Sequence, residues 1–163
     1  MNKSVVKLTP IGGQAENGKS MYCLEIDDQW FIIDAGYRFP EVDKLGVDVI
    51  IPNFDYLKEN KDKIKAIFIT HGHDDVMGAL PYLLQEVNVP IYTTDLTADL
   101  IDQLLQRYMR HSHVSYKYKI KRVNMNATIK VAGVTVEFFP ITHSIPGSVG
   151  LAFLTPNGYV VYS

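Results

Sequence analysis

A mixed α/β domain, α+β in its layering, is the fold class that the sequence predicts, and three observations predict it. Short apolar runs rich in β-branched and aromatic residues recur along the chain, bounded by turn signals. From Asp75 onward the spacing of apolar residues switches in places to a helical period. Strands with interspersed helices indicate helix layered on sheet around a common core.

The first segments read as sheet. "SVVKLTPI" is strand-like and "GGQAENGKS" is a glycine-rich loop. "MYCLEI" and "QWFIIDAG" are apolar runs joined by Asp27-Asp28, a hairpin pattern. "GVDVIIPNFDYLKENKDKI" holds a short apolar run, then a polar turn and helix, and "KAIFIT" is a buried strand that runs into "HGHDD". Met77, Leu80, Leu84 and Val87 then fall on a helical stripe, and "VPIYTT" returns to strand. "TDLTADLIDQLLQRYMR" is the clearest helix. Leu96, Leu100, Ile101, Leu104, Leu105 and Tyr108 share one face, Thr94 stands at the capping position and Asp95 lies in the first turn. "YKYKIKRV", "TIKVAGVTVEFFPITH" and "VGLAFLTPNGYVVYS" are β segments, the last two with turns at Ala132-Gly133 and Pro156-Asn157-Gly158.

With 163 residues and 47% apolar composition, the chain can bury the core of one domain or a large part of one. A net charge of -2 argues against a strongly basic nucleic-acid module and leaves room for a local patch. Cys23 is the only cysteine, which excludes an intrachain disulfide and a thiolate zinc cluster and fits a reducing, cytoplasmic setting. No run has the length of a signal peptide core or a membrane span, so the expectation is a soluble protein without membrane association. "GYVVYS" reads as a buried strand that stops at Ser163 without a turn or cap. An N-terminal fragment is therefore expected, with an exposed sheet edge or apolar surface where further parts would pack.

His71 and His73 are the residues with chemistry. Two residues apart at the end of an extended strand, both imidazoles reach the same side and one cation. Zinc accepts imidazole nitrogen and carboxylate oxygen, and Asp74 and Asp75 are adjacent. His143 follows a second apolar strand, "VEFFPITHS". Asp34 ends "WFIID" in the same way. It suits a carboxylate that orients a ligating histidine, and equally a turn aspartate opening Ala35-Gly36.

"THGHDD" resembles the His-x-His-x-Asp-His signature of the metallo-β-lactamase superfamily. The ordered segments "GGQAENGKSMYCLEI", "FIIDAGYRFPE", "LGVDVIIPNFDYL", "THGHDDVMGALPYLL", "VPIYTT", "THSIPGSVG" and "YVVYS" resemble its ribonuclease J branch over nearly the whole chain. That resemblance implies an αββα sandwich, of which residues 1–163 are the N-terminal part. A β-CASP domain and a C-terminal domain are expected beyond residue 163. It implies a hydrolytic site of one or two metal ions, usually zinc, with manganese or magnesium as alternatives. The implied activity is RNA cleavage, as a 5′-to-3′ exonuclease and an endonuclease, in ribosomal RNA maturation and messenger decay. By this resemblance His71, His73 and His143 match ligands of the first metal, Asp75 the carboxylate of the second, and Asp34 the supporting acid. Asp75 and His143 are the residues it marks as catalytic.

Two departures bear on activity. Val76 stands where the signature's last histidine would ligate the second metal, and valine offers no lone pair. The family's bridging aspartate would lie just beyond "YVVYS". Within the branch the chain resembles the second, catalytically weakened paralogue of some Gram-positive bacteria. This implies RNA and an active ribonuclease J paralogue, or a second copy in a homodimer, as partners. Three readings are open: a metal-dependent ribonuclease of reduced rate, a structural or RNA-binding subunit with a vestigial site, and a superfamily hydrolase acting on a thioester or lactam. The branch-specific segments argue against the third.

Other features have plainer explanations. The lysine row of "YKYKIKRV" fits an edge strand guarded against aggregation. His111 and His113 follow a helix without acidic neighbours and read as its polar end. Ser144 and Ser148 flank Pro146-Gly147, where a stabilised turn and a phosphate contact are both open. "GGQAENGKS" lacks the spacing of a nucleotide-binding loop.

Overall fold

Three layers stack in the order helices, sheet, sheet. The computed structural model describes residues 4–42 and 44–163. The first sheet has six strands in the order β1 (Val6–Gly12), β2 (Met21–Ile26), β3 (Gln29–Ile33), β4 (Ile64–Phe68), β5 (Ile91–Thr93) and β6 (Ile120–Arg122). Its first half is an antiparallel meander, and from β3 to β6 the strands run parallel. Parallel neighbours need crossover segments. These are α1 (Asp55–Glu59), the paired helices α2 (Asp74–Met77) and α3 (Leu80–Glu86), and α4 (Asp95–Ser112). The second sheet is an antiparallel meander of β7 (Thr128–Val131), β8 (Val134–Pro140), β9 (Val149–Thr155) and β10 (Gly158–Tyr162).

This layering encloses two apolar cores. One lies between the helices and the first sheet and gathers Trp30, Ile32, Leu57, Ile67, Leu80, Leu83, Ile101 and Leu105. The other lies between the sheets, where Phe31, Phe68, Phe138 and Phe153 pack with ring centroids 5.3–6.0 Å apart. The central strands bury both faces, which is why β3 and β4 read as continuous apolar runs without alternation.

The hairpin at Asp27-Asp28 forms as predicted, with Ile26 opposite Gln29 and Asp27 in the left-handed region at φ 51°. Met77, Leu80, Leu84 and Val87 are all buried against the first sheet, spread over α2, α3 and the residue that ends it. The lysine row is an edge feature: β6 closes the sheet, Lys117 and Lys119 are exposed, and Tyr116, Tyr118 and Ile120 pack inward.

Three expectations change. The buried stripe of α4 is Thr97, Ala98, Ile101 and Leu105, because small residues let the helix approach the sheet. Leu96 is exposed, and Leu100, Leu104 and Tyr108 are only half-buried. Thr94 stands at the N-cap but makes no capping bond, since its hydroxyl donates to Gly147 O at 2.7 Å. "GYVVYS" is a strand, yet β10 is the edge of its sheet, and Tyr159 and Val161 are more than half exposed. With Leu154 beside Tyr159, they form an exposed apolar patch on that sheet. Among the described residues no helix is long and apolar enough to cross a membrane.

Candidate metal centre

The carboxyl ends of β3 and β4 point at the same edge of the first sheet, the usual ligand side of parallel strands. β4 ends at Phe68, so His71 and His73 sit in the loop after it and not on the strand itself. That loop is close-packed. A side chain at Gly72 would lie 2.4 Å from Leu100 of α4. His143 arrives from the other sheet. The β8–β9 connection closes through Ile141 N to Ser148 O at 3.1 Å, and Val149 N donates to Thr70 O at 3.0 Å. Ser148 is buried, and its hydroxyl donates to Ile145 O at 2.8 Å, which settles it as part of that turn.

The result is convergence of three imidazoles. Ring centroids are 4.2 Å apart for His71 and His143, 4.9 Å for His71 and His73, and 5.0 Å for His73 and His143. One nitrogen from each lies within 4.8 Å of the other two. Tetrahedral zinc with bonds of about 2.0–2.1 Å sets its donors roughly 3.4 Å apart, a closure that ring rotation supplies. Burial, then the neighbouring His143 and His73, push His71 down to about 4. It is therefore neutral at pH 7 and keeps a lone pair to give. The donor set fits a divalent cation.

Asp34 does not touch a histidine. It sits at φ 60°, fully buried, and Thr70 joins it to the site. Thr70 N donates to Asp34 Oδ1 at 2.9 Å, and the Thr70 hydroxyl lies 3.0 Å from that oxygen and 3.0 Å from His71 Nδ1. If the hydroxyl proton goes to the carboxylate, Thr70 Oγ1 accepts from His71 Nδ1–H and the other ring nitrogen is left to face a cation. Tyr162 completes the cluster, its hydroxyl donating to Asp34 Oδ2 at 3.0 Å. Burial pushes Asp34 up to about 7, against the lowering effect of the Thr70 and Tyr162 hydrogen bonds. Asp34 thus occupies a turn conformation and is linked to His71 only through hydrogen bonds of Thr70.

Thr70→Val keeps the side-chain shape and removes the hydroxyl that joins Asp34 to His71. Zinc affinity, measured by competition against a chromophoric chelator, is expected to fall about 10–100-fold. Thr70→Ser should keep most of it, and equal loss in both variants would mean that the hydroxyl is not the link.

Asp75 is exposed beside the trio. It lines a cleft of about 590 Å³ with His73, Asp74, Tyr37 and Arg38. Its charge reaches His71 and Asp34, but its carboxylate is not among the donors that close within 4.8 Å. Val76 is only 5% exposed and belongs to neither apolar core. Its carbonyl accepts from Ala35 N at 2.7 Å, so its place beside the site is fixed by backbone pairing. His111 is turned away from all of this, its Nδ1 bonded to Arg107 O at 2.7 Å, and His113 ends α4 at φ 56°. Thr70 and Tyr162 are the contributors that sequence reasoning missed. Thr70 is adjacent to His71 in the motif, whereas Tyr162 is 128 positions from Asp34 and carries no local signal.

The chain matches the family model described as the metallo-beta-lactamase superfamily over residues 16–161. It is 43% identical over 162 residues to Ribonuclease J 2 of Staphylococcus saprophyticus, covering 99% of this chain and 28% of that protein. It is 40% identical over 158 residues to Ribonuclease J 2 of Staphylococcus aureus, covering 97% and 28%. The chain thus spans little more than a quarter of the length of these curated relatives. Among solved structures, the metallo-beta-lactamase fold protein YhfI from Bacillus subtilis aligns with a TM-score of 0.60 at 23% identity, over 96% of this chain and 61% of that one. The layered fold and the match over residues 16–161 agree, and the chain belongs to the metallo-beta-lactamase superfamily, with Ribonuclease J 2 proteins among its homologues.

Proposed function

We propose that this chain carries the metal-binding half of an RNA-cleaving hydrolase of the ribonuclease J type, and that it turns over slowly. The observation that carries this reading is the convergence of His71, His73 and His143 within 4.8 Å at the sheet edge. Similarity to Ribonuclease J 2 supports RNA as substrate. The action proposed on it is that of a 5′-to-3′ exonuclease and an endonuclease, in ribosomal RNA maturation and messenger decay. The protein would be cytoplasmic, and residues 1–163 would be the first part of a metallo-β-lactamase domain, with β-CASP and C-terminal domains elsewhere in the full-length protein.

The three histidines would hold one ion, zinc by preference for nitrogen donors, with manganese or magnesium as substitutes. A divalent cation held there supplies Lewis acidity towards a phosphoryl oxygen and makes a water more acidic. The chain's own contribution is positional. Asp34 and Thr70 fix the His71 ring, and neutral His71 keeps its lone pair at pH 7. Asp75, exposed beside His73, offers the acidic half of a second site. Val76 supplies no donor to it, which leaves charge at the phosphate less well neutralised.

Burial of an apolar side chain at position 76 also favours a second reading, an inert structural or RNA-binding subunit that assembles with an active ribonuclease J paralogue or with itself. Metal analysis of the full-length protein after mild purification separates the two. About one equivalent of zinc or manganese, with slow cleavage of single-stranded RNA, is the expected outcome. Near-zero metal and no cleavage in excess zinc or manganese would sink the catalytic reading. Fast hydrolysis of a thioester or lactam would replace the RNA substrate altogether.

A further inference from the structure

The flank of α4 beside its buried stripe faces α3 and does not have the pattern of a merely solvated helix. Leu104, Arg107, Tyr108 and His111 are spaced i, i+3, i+4, i+7 and form one stripe. Opposite them stand Tyr82 of α3 and Tyr37 from the segment after β3. Together they line a cleft of about 350 Å³, within the roughly 300–1,000 Å³ usual for small-ligand sites. Tyr82 and Tyr108 are held edge to face with centroids 5.0 Å apart, and Gln85 Nε2 donates to Tyr108 Oη at 3.2 Å. Tyr37 is fixed from behind, since a side chain at Gly78 would come within 2.4 Å of its ring.

One cation, Arg107, lines this aromatic cleft, and a second, Arg110, stands one turn further along α4. Arg107 also lines an adjoining recess of about 410 Å³ with Arg110, Gln103 and Asp74. Arg107 and Arg110 are exposed, and neither forms an ion pair among the described residues, in contrast to Arg38 with Glu16 and Arg122 with Asp99. Both recesses adjoin the cleft lined by His73 and Asp75, one sharing Tyr37 with it and the other Asp74. Asp74 shares the second recess with Arg107 and Arg110 but forms an ion pair with neither among the described residues.

We infer that the cleft between α3 and α4 binds one unpaired nucleotide of an RNA strand that reaches the histidine site, the base against Tyr82 and Tyr108 and a phosphate on Arg107 and Arg110. Flat half-buried tyrosines accept any base face, and unpaired guanidinium groups accept phosphate in a bidentate manner, so the site is sequence-tolerant and specific for single strands. The fixed ring positions mean that little side-chain freedom is lost on binding. This inference rests on the RNA reading above and assigns a place on the protein to part of that substrate.

Fluorescence anisotropy of a labelled ten-residue oligoadenylate with the full-length protein, in chelator so that no cleavage occurs, tests it. Arg107→Gln with Arg110→Gln should weaken binding at least tenfold and lower the salt slope by roughly 0.7, the value for one phosphate contact on a single strand. Tyr108→Leu should weaken it on the order of tenfold with the slope unchanged. Lys117→Ala with Lys119→Ala, which removes equal charge from the exposed sheet edge, should change affinity less than threefold. If wild type binds the oligonucleotide and the arginine pair can be replaced without loss, the cleft assignment is overturned and the RNA reading stands. The assignment also fails if duplex RNA binds as well as the single strand, or if the arginine variant loses only thermal stability, which would make the cleft a protein contact. Absence of any RNA binding by the wild type overturns both.

Discussion

Val76→His is expected to raise bound metal by about one equivalent and to raise the rate of RNA cleavage on the order of 100-fold. The reasoning begins with position. Val76 is held by its backbone, its carbonyl accepting from Ala35 N and its N–H donating to His73 O at 3.1 Å, so a substituted side chain starts from the same place. It lies in α2 directly after exposed Asp75, buried but outside both apolar cores, so an imidazole there disturbs neither of them. Paired with Asp75, it would add nitrogen to the oxygen already present, a donor pair that zinc accepts. A second ion beside the first shares the charge of attacking and leaving oxygens, and one such stabiliser is worth about 10²–10³ in rate. The buried imidazole needs a partner, and without metal it costs about 1–3 kcal/mol. The variant should therefore melt lower than wild type in chelator and recover in zinc. Metal content by atomic emission and cleavage of a 5′-labelled RNA decide the matter. If both stay at wild-type levels while the protein is folded, Val76 is not the limiting defect and the inert-subunit reading gains.

The parts of this site that could be read in the sequence are those with a local cause. His71, His73 and His143 each lie just past an apolar run, and a strand anchored by buried side chains, on both faces in β4 and on one in β8, delivers its next loop to the edge of the sheet. The layered fold was legible for the same reason. The features that were not legible depend on distance along the chain or on close approach. Tyr162 meets Asp34 only because β10 and β3 belong to sheets packed face to face. Leu96, Leu100 and Leu104 of α4 read as core because apolar spacing carries no information about how closely a helix can approach a sheet. The helix instead packs through Thr97 and Ala98, which leaves Leu100 and Leu104 to line recesses beside the site. "GYVVYS" shows the limit in reverse: a β-branched run fixes strand conformation, but burial depends on a neighbour that Tyr159 and Val161 lack among the described residues.

Gly36→Ala should be the most damaging single methyl group that can be added near the site. An added Cβ there would lie 1.6 Å from the Asp75 carbonyl oxygen and 2.1 Å from its carbon. Both are backbone atoms that no rotamer change can move. Four hydrogen bonds hold that contact in place: Gly36 N to Ser20 O and Ser20 N to Asp75 O, each 3.0 Å, Ala35 N to Val76 O at 2.7 Å, and Tyr37 N to Asp74 O at 3.1 Å. Two of them join the turn after β3 directly to α2 and two join it through Ser20, so separating the segments by the ångström or more that a methyl group requires breaks several bonds together. The same separation drags Asp74, Asp75 and the adjoining His73 away from His71 and His143. Expected losses are at least roughly 4 kcal/mol of stability and about 10 °C in melting temperature, with zinc affinity reduced more than tenfold. Gly133→Ala is the matched control, since Gly133 has φ 84° and open space where a Cβ would go, and it should cost only the left-handed strain of about 1–2 kcal/mol. Thermal unfolding and zinc titration of the two variants side by side measure the difference. Equal stability loss in both would mean that the turn and α2 can separate freely, and that the histidine geometry is held by the β8–β9 connection alone.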